Sequence, residues 1–315
     1  MLKDFGVIVA CCNYDYLFAK GCVASIRYFL GDVPIALIVD GDVSTKALEK
    51  LYDVQVIRRE TVTSKLLKER SFGMGLTKMV AFWESPWENF LYLDADTVIW
   101  GDVLQYEKLD QFDFISDMVR DELSDQHISS YFFNIDRINQ FFPDFDWRKY
   151  RNYYFCTGAF FAKRGIFSLE EYEEILDLVE KEPNLFFVGE QGFLNLMMCR
   201  AAEENRIRLG QAYLEFLVPD YSCELAQEAF PIEEAMPSPH HKSMVIHWCG
   251  YQKPTTIARS IYTEPMTFCR QQFLKDASSL NLKEANSSLI AEDLQYYVQV
   301  YRKRIKRKLK KVLAS

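Results

Sequence analysis

The chain has 315 residues, of which 49% are hydrophobic and 26% charged, with 13 Gly, 10 Pro and a formal net charge of −8. This is the composition of a core-forming chain of one large or two ordinary domains, and it excludes a collagen, a disordered polar chain and a disulfide-stapled miniprotein. No run of 18 apolar residues is present to span a membrane.

In chain order, Phe5 to Ala10 is apolar and β-prone. The apolar stretch Phe5 to Cys12 is too short and too poorly flanked for a secretory signal, and reads as a first strand. Tyr16 to Leu30 has helical spacing, with Ala19, Val23, Ile26 and Leu30 on one side. Pro34 to Val39 is a second strand ended by Asp40-Gly41, Val43 to Leu51 a helix, and Val54 to Ile57 a third strand. Leu76 to Trp83 reads as a helix stopped by Ser85-Pro86, and Phe90 to Leu93 as a fourth strand. Further on come a strand over Phe155 to Ala162, helices over Leu169 to Val179 and Gln191 to Ala202, and a strand over Met244 to His247. Segments 104–153 and 204–243 are less regular and could hold an acceptor site. Strands spaced by helices predict an α/β fold, with a mostly parallel central sheet flanked by helices. The simplest division is one domain over 1–270 and a helical, basic C-terminal extension over 271–315.

Charge is unevenly spread. Residues 302–311, RKRIKRKLKK, hold eight basic groups and no acid, so the rest of the chain carries −16. Such an acidic body does not suit nucleic acid, whose phosphates need a basic footprint. In the tail, Leu294, Val298, Tyr301, Ile305, Leu309 and Val312 recur at helical spacing between the basic residues. A basic amphipathic helix of this kind lies on an anionic membrane surface; the alternative is a solvated helix docked on the acidic body. The eight cysteines read as reduced thiols of a cytoplasmic protein, many of them buried. The absence of a Cys-x-x-Cys pair, and of His clustered with Cys in the sequence, argues against a structural zinc site.

In an open α/β sheet, ligands bind beyond the carboxyl ends of the strands. Three segments there carry chemistry. Asp94-Ala95-Asp96 ends the fourth strand and offers two carboxylates to one hard cation, Mn²⁺ or Mg²⁺, which would also bind a diphosphate. Alone it reads more readily as an ordinary acidic strand-to-loop turn, since Asp-x-Asp is common by chance. Val245 to Pro254, VIHWCGYQKP, offers the His247 imidazole to a metal and the Lys253 ammonium to phosphate, with Gly250 allowing close backbone approach. Two carboxylates with one imidazole suit Mn²⁺ better than Mg²⁺. Gly189 to Asn195, GEQGFLN, places Glu190 and Gln191 at the positive start of a helix.

Read in order, LTKMVAFW (76–83), FLYLDADTVI (90–99), FCTGAFFAK (155–163), GEQGFLN and VIHWCGYQKP resemble the glycogenin-like glycosyltransferases, family eight, over roughly residues 5–256. The resemblance implies the GT-A nucleotide-diphospho-sugar transferase fold and retaining transfer of a hexose. The donor would be a UDP-sugar, UDP-glucose or UDP-galactose, and the acceptor a glycan, a lipid-linked glycan or a protein hydroxyl. It implies that Asp94, Asp96 and His247 ligate Mn²⁺ with the donor diphosphate. Lys253 and the Gly250 backbone would hold that diphosphate. Lys78 would reach the sugar and diphosphate. Ala10, Asn13 and either Tyr14 or Tyr16 would line the uracil pocket, and Ala95, Thr157 and Gly158 would border the donor. Glu190 stands where the family has Asp; with Gln191 it would face the anomeric carbon. Thr255 replaces the family's aromatic after Lys-Pro. Of the competing classes, a nucleotidyltransferase would need a glycine-rich phosphate loop, and ACCNYDY follows Val9 instead. A non-catalytic nucleotide-sugar binding protein would be expected to have lost a ligand, and all three are present. The implied location is cytoplasmic, peripheral on the inner face of a membrane.

Overall fold

The computed structural model describes residues 4–313 apart from 74, 239–241 and 279, with side chains as far as 306. Its strands are β1 (Phe5–Cys12), β2 (Ile35–Asp40), β3 (Val54–Arg58), β4 (Asn89–Asp94), β5 (Thr97–Trp100), β6 (Phe114–Asp117), β7 (Ala159–Lys163), β8 (Leu209–Ala212), β9 (Glu215–Leu217), β10 (Ile232–Glu233), β11 (Met236–Pro237) and β12 (Met244–His247). Seven of them form the central sheet, in the order β3-β2-β1-β4-β7-β6-β8. The pairs β3–β2, β2–β1, β1–β4 and β6–β8 are parallel, and β7 runs antiparallel to both neighbours.

Both faces of this sheet are covered, which is why β1 is a nearly unbroken apolar run rather than an alternating one. Ile8, Ala10, Ile38, Phe90, Tyr92 and Phe160 face one core layer. Val7, Val9, Leu37, Leu91, Leu93 and Phe161 face the other. The first helix (Tyr16–Leu30) returns the chain over the second face.

β5, β12 and β9 form a smaller sheet in that order. Its register matters for the site. His247 pairs with Thr97, the first residue of β5, so His247 is placed beside the Asp94–Asp96 turn that joins β4 to β5. Trp248 N also donates to Asp96 O at 3.1 Å.

Two elements depart from the sequence expectation. Leu76–Val80 winds as a 3₁₀ turn and only Ala81–Glu84 is α-helical. Thr77, Lys78, Met79 and Val80 are all buried. The strand expected from Phe155 begins at Ala159. Before it the chain bends around His247, and the Asn195 side chain serves the Phe155 backbone in place of a ladder, accepting from its N–H at 3.0 Å and donating to its carbonyl at 3.1 Å.

Residue 270 lies inside a helix, Glu264–Ser278, that packs against the first helix. The last helix, Leu282–Leu313, is pinned to it. Arg270 Nη1 donates to Asp293 Oδ1 at 2.7 Å, and both side chains are buried. Asp293 Oδ2 also accepts from Thr256 N at 2.7 Å.

Candidate active site

The carboxyl ends of β1, β2 and β4 open into one cleft, a cavity of about 610 Å³. Ala10, Asn13 and Tyr14 line it from the end of β1 and the loop after it, as do Asp94, Ala95 and Asp96 from the end of β4. Lys78, Glu190 and Lys253 complete the wall. Ala10 lies directly beside Asp94 in the β1–β4 register.

Two lysines dominate the electrostatics. Lys78 Nζ is buried and lies 2.8 Å from Glu190 Oε1, 3.1 Å from Asp94 Oδ2 and 2.9 Å from the Thr157 carbonyl. Burial opposes its charge, but Asp94 and Glu190 raise its pKa above the ordinary lysine value. Lys253 Nζ pairs with Asp96 Oδ2. Burial would raise the Asp96 pKa, yet Lys253 and His247 hold it well below the usual carboxylate range. Tyr92 Oη donates to Asp94 Oδ1 at 2.6 Å, fixing that carboxylate at the strand end.

One ligand atom from each of Asp94, Asp96 and His247 lies within 4.8 Å of the other two. Four acidic side chains besides Asp15 (Asp40, Asp94, Asp96, Glu190) line the cleft against three lysines (Lys78, Lys253, Lys303), so carboxylate oxygens remain for a cation. The donor set and this charge fit a hard or borderline dication such as Mn²⁺.

Other expected residues lie elsewhere. Thr157 and Gly158 sit behind the cleft, Thr157 accepting from Lys78 and Gly158 abutting His247. Tyr14 lines the cleft, whereas Tyr16 begins the first helix and packs against a core layer. Gln191 turns away from Glu190 and donates to the Tyr131 carbonyl at 3.2 Å, because successive helix positions point about 100° apart. Gly250 has φ +79° and open space where a Cβ would stand. The left-handed backbone conformation there favours glycine.

The structure adds residues the sequence did not single out. Asp15 is partly buried, and its desolvation pushes its pKa up to about 7; its Oδ1 accepts from Cys12 N at 2.6 Å and so shapes the loop after β1. Glu215 stands in the otherwise apolar Leu214–Leu217 segment, a charged residue in a buried run, and that was its only signal. Contrary to the sequence expectation, His247 does cluster with cysteines. Cys156, Cys249 and His247 each bring one ligand atom within 4.8 Å of the others, although 91 residues separate Cys156 from His247.

The tail helix shows two faces. Ala285, Leu289 and Asp293 are buried against the body. Leu294, Val298, Tyr301 and Ile305 form a stripe left in solvent, between 45% and 67% exposed. Leu309 and Val312 lie outside the described side chains. Lys303 Nζ stands 4.1 Å from the Tyr14 ring centroid, and a second cavity of about 730 Å³, with Arg302 and Lys306 in its wall, adjoins the cleft there. No helix among the described residues is long and apolar enough to cross a membrane.

This architecture is the GT-A fold of the nucleotide-sugar glycosyltransferases. It is similar to the glycosyltransferase GlyE of Streptococcus pneumoniae TIGR4, at 15% identity and a TM-score of 0.53, over 92% of this chain and 64% of that one. It is also similar to the galactosyltransferase LgtC solved with donor and acceptor sugar analogues, at 16% identity and a TM-score of 0.50, over 88% of this chain and 96% of that one. A third likeness is the bifunctional glycosyltransferase WbbM, at 10% identity and a TM-score of 0.53, over 93% of this chain and 52% of that one. The chain thus spans less than two thirds of GlyE and about half of WbbM. No family model and no curated protein matches it in sequence.

Proposed function

We propose that this protein is a retaining, Mn²⁺-dependent glycosyltransferase that moves a hexose from a UDP-sugar to an acceptor hydroxyl. The observation that carries this reading is the convergence of Asp94, Asp96 and His247 beside Lys78 and Lys253 at the strand ends of a GT-A fold. UDP-glucose and UDP-galactose are the favoured donors, and a glycan, a lipid-linked glycan or a protein hydroxyl the acceptor.

In this reading Asp94, Asp96 and His247 hold the metal, which when bound stabilises negative charge on the departing diphosphate. Lys253 leaves Asp96 to meet that phosphate. The bond from the anomeric carbon to the phosphate oxygen breaks, the acceptor oxygen bonds to the same carbon on the same face, and its proton passes to the leaving phosphate. Retention through a covalent intermediate would require a free carboxylate nucleophile. Glu190 is instead ion-paired with Lys78, and Gln191 points elsewhere, so a front-face transfer suits the site better. A glycosyl adduct trapped on Glu190 would overturn that mechanism.

The test is UDP release from a panel of UDP-sugars, with Mn²⁺ and with chelator. Mn²⁺-dependent release from one of them is expected, and names the donor. Failure of UDP to bind at all would refute the assignment.

For location, the exposed apolar stripe flanked by Arg302, Lys303, Arg304 and Lys306 supports docking of the tail on an anionic membrane surface. Neutralising these four residues is expected to weaken co-sedimentation with phosphatidylglycerol vesicles on the order of 10³-fold, at roughly 1 kcal/mol per basic residue. Unchanged sedimentation would favour the solvated, docked helix.

A further inference from the structure

A histidine ligand has two ring nitrogens, and what holds the second decides how well the first can bind. His247 Nε2 faces the cleft, 3.6 Å from Asp96 Oδ1. Its Nδ1 faces inward and lies 2.7 Å from Glu215 Oε1. The Glu215 side chain is 0% exposed and that of His247 4%. Burying a carboxylate this deeply is costly unless it is paired.

The fold specifies this contact from several directions. β9 runs parallel to β12, and Glu215 lies beside Val245, two residues before His247. Asp117 Oδ1 accepts from the backbone N–H groups of both Leu214 and Glu215, at 2.9 and 2.8 Å, and so fixes the start of β9. Gly158 closes the space around the pair: a Cβ there would lie 2.2 Å from His247 Cε1 and 2.7 Å from Glu215 Oε1. The imidazole has no room to turn on that side. Cys156 Sγ lies 3.7 Å from Nδ1 and Cys249 Sγ is part of the same cluster, and thiols are weaker acceptors than a carboxylate. Glu215 Oε2 makes no hydrogen bond, so the polar role of this buried carboxylate is spent on His247.

We propose that Glu215 is a positioning residue for the metal site: it accepts the Nδ1 proton of His247, fixes the tautomer that presents the Nε2 lone pair to the cleft, and raises the donor strength of the ring. This rests on the reading that Asp94, Asp96 and His247 hold a divalent cation. A more basic imidazole helps a borderline ion more than a hard one that prefers oxygen. Glu215 therefore biases the site toward Mn²⁺ over Mg²⁺.

The experiment measures Mn²⁺ binding to the metal-stripped full chain by electron paramagnetic resonance, without sugar nucleotide, and Mg²⁺ binding by competition. Glu215→Leu is expected to weaken Mn²⁺ about 10- to 100-fold, the usual cost of losing such a partner. Glu215→Gln, which keeps an acceptor for Nδ1–H, should lose less, and Mg²⁺ should change less than Mn²⁺ in both variants. In a His247→Ala background, Glu215→Leu should have no further effect on Mn²⁺, since its action passes through the ring. Wild-type affinity in a folded Glu215→Leu chain, or an equal loss with and without His247, would overturn the proposal. Should Glu215→Leu not fold, Glu215→Gln in the two backgrounds separates the same outcomes. Failure of the wild-type chain to bind Mn²⁺ would instead refute the metal reading itself.

Discussion

Asp96→Asn is expected to lower Mn²⁺-dependent UDP release by about 10³-fold, the scale seen when a group stabilising transition-state charge is removed. Asp96 is where Lys253 and the proposed metal ligands meet: one oxygen pairs with Lys253 and the other faces His247 Nε2. An amide of the same shape keeps the packing but removes the charge that would hold a dication. Lys253 loses its counter-charge at the same time, and its side chain is 24% exposed, so it can turn toward the cleft and water. The fold should therefore survive. Turnover with a titration of Mn²⁺, read beside a thermal melt, checks both halves. Normal Mn²⁺-dependent turnover in the variant would remove Asp96 from the metal site.

Asp293→Ala should be the most damaging single change to stability away from the cleft. Arg270 and Asp293 are 1% and 0% exposed, and Asp293 also accepts from Thr256 N, so the carboxylate joins two helices and the loop after Lys253. Removing one partner of a buried pair leaves the other charge stranded, at a cost of about 3–5 kcal/mol. For a chain of this size that is roughly a 6 °C fall in melting temperature. Glu292 also contacts Arg270, at 3.0 Å, and would recover part of the loss. Because the pair holds the root of the tail helix, proteolysis within 282–306 should also quicken in the variant. An unchanged melt would mean that the tail helix is an appendage rather than a wall of the body.

Much of the strand and helix layout was legible in the sequence, because burial on both faces writes β1, β2 and β4 as apolar runs that no polar residue interrupts. The strand-end acids were legible for the same reason: Asp94 and Asp96 follow directly on such a run. β5, β6, β8 and β9 were not singled out, since at three or four residues each is too short for a period to show. The 3₁₀ turn at Leu76–Val80 was hidden because five residues are too few to separate a 3₁₀ period from an α one. Glu215 carries no motif, and Cys156 stood only as one residue of FCTGAFFAK; both acquire their place beside His247 in the fold.

By itself the sequence determined the alternation of strands and helices, the acidic body and basic tail, and the residue types able to bind a dication and a diphosphate. These follow from hydrophobic periodicity and side-chain chemistry, which are local. Only the tertiary structure decided that Lys78 pairs with both Glu190 and Asp94, that Lys253 rests on Asp96, that Gln191 faces away, and that Glu215 stands behind His247. Those contacts join residues up to 157 positions apart. They depend on strand order and register, which the packing of the whole chain selects and no single segment encodes.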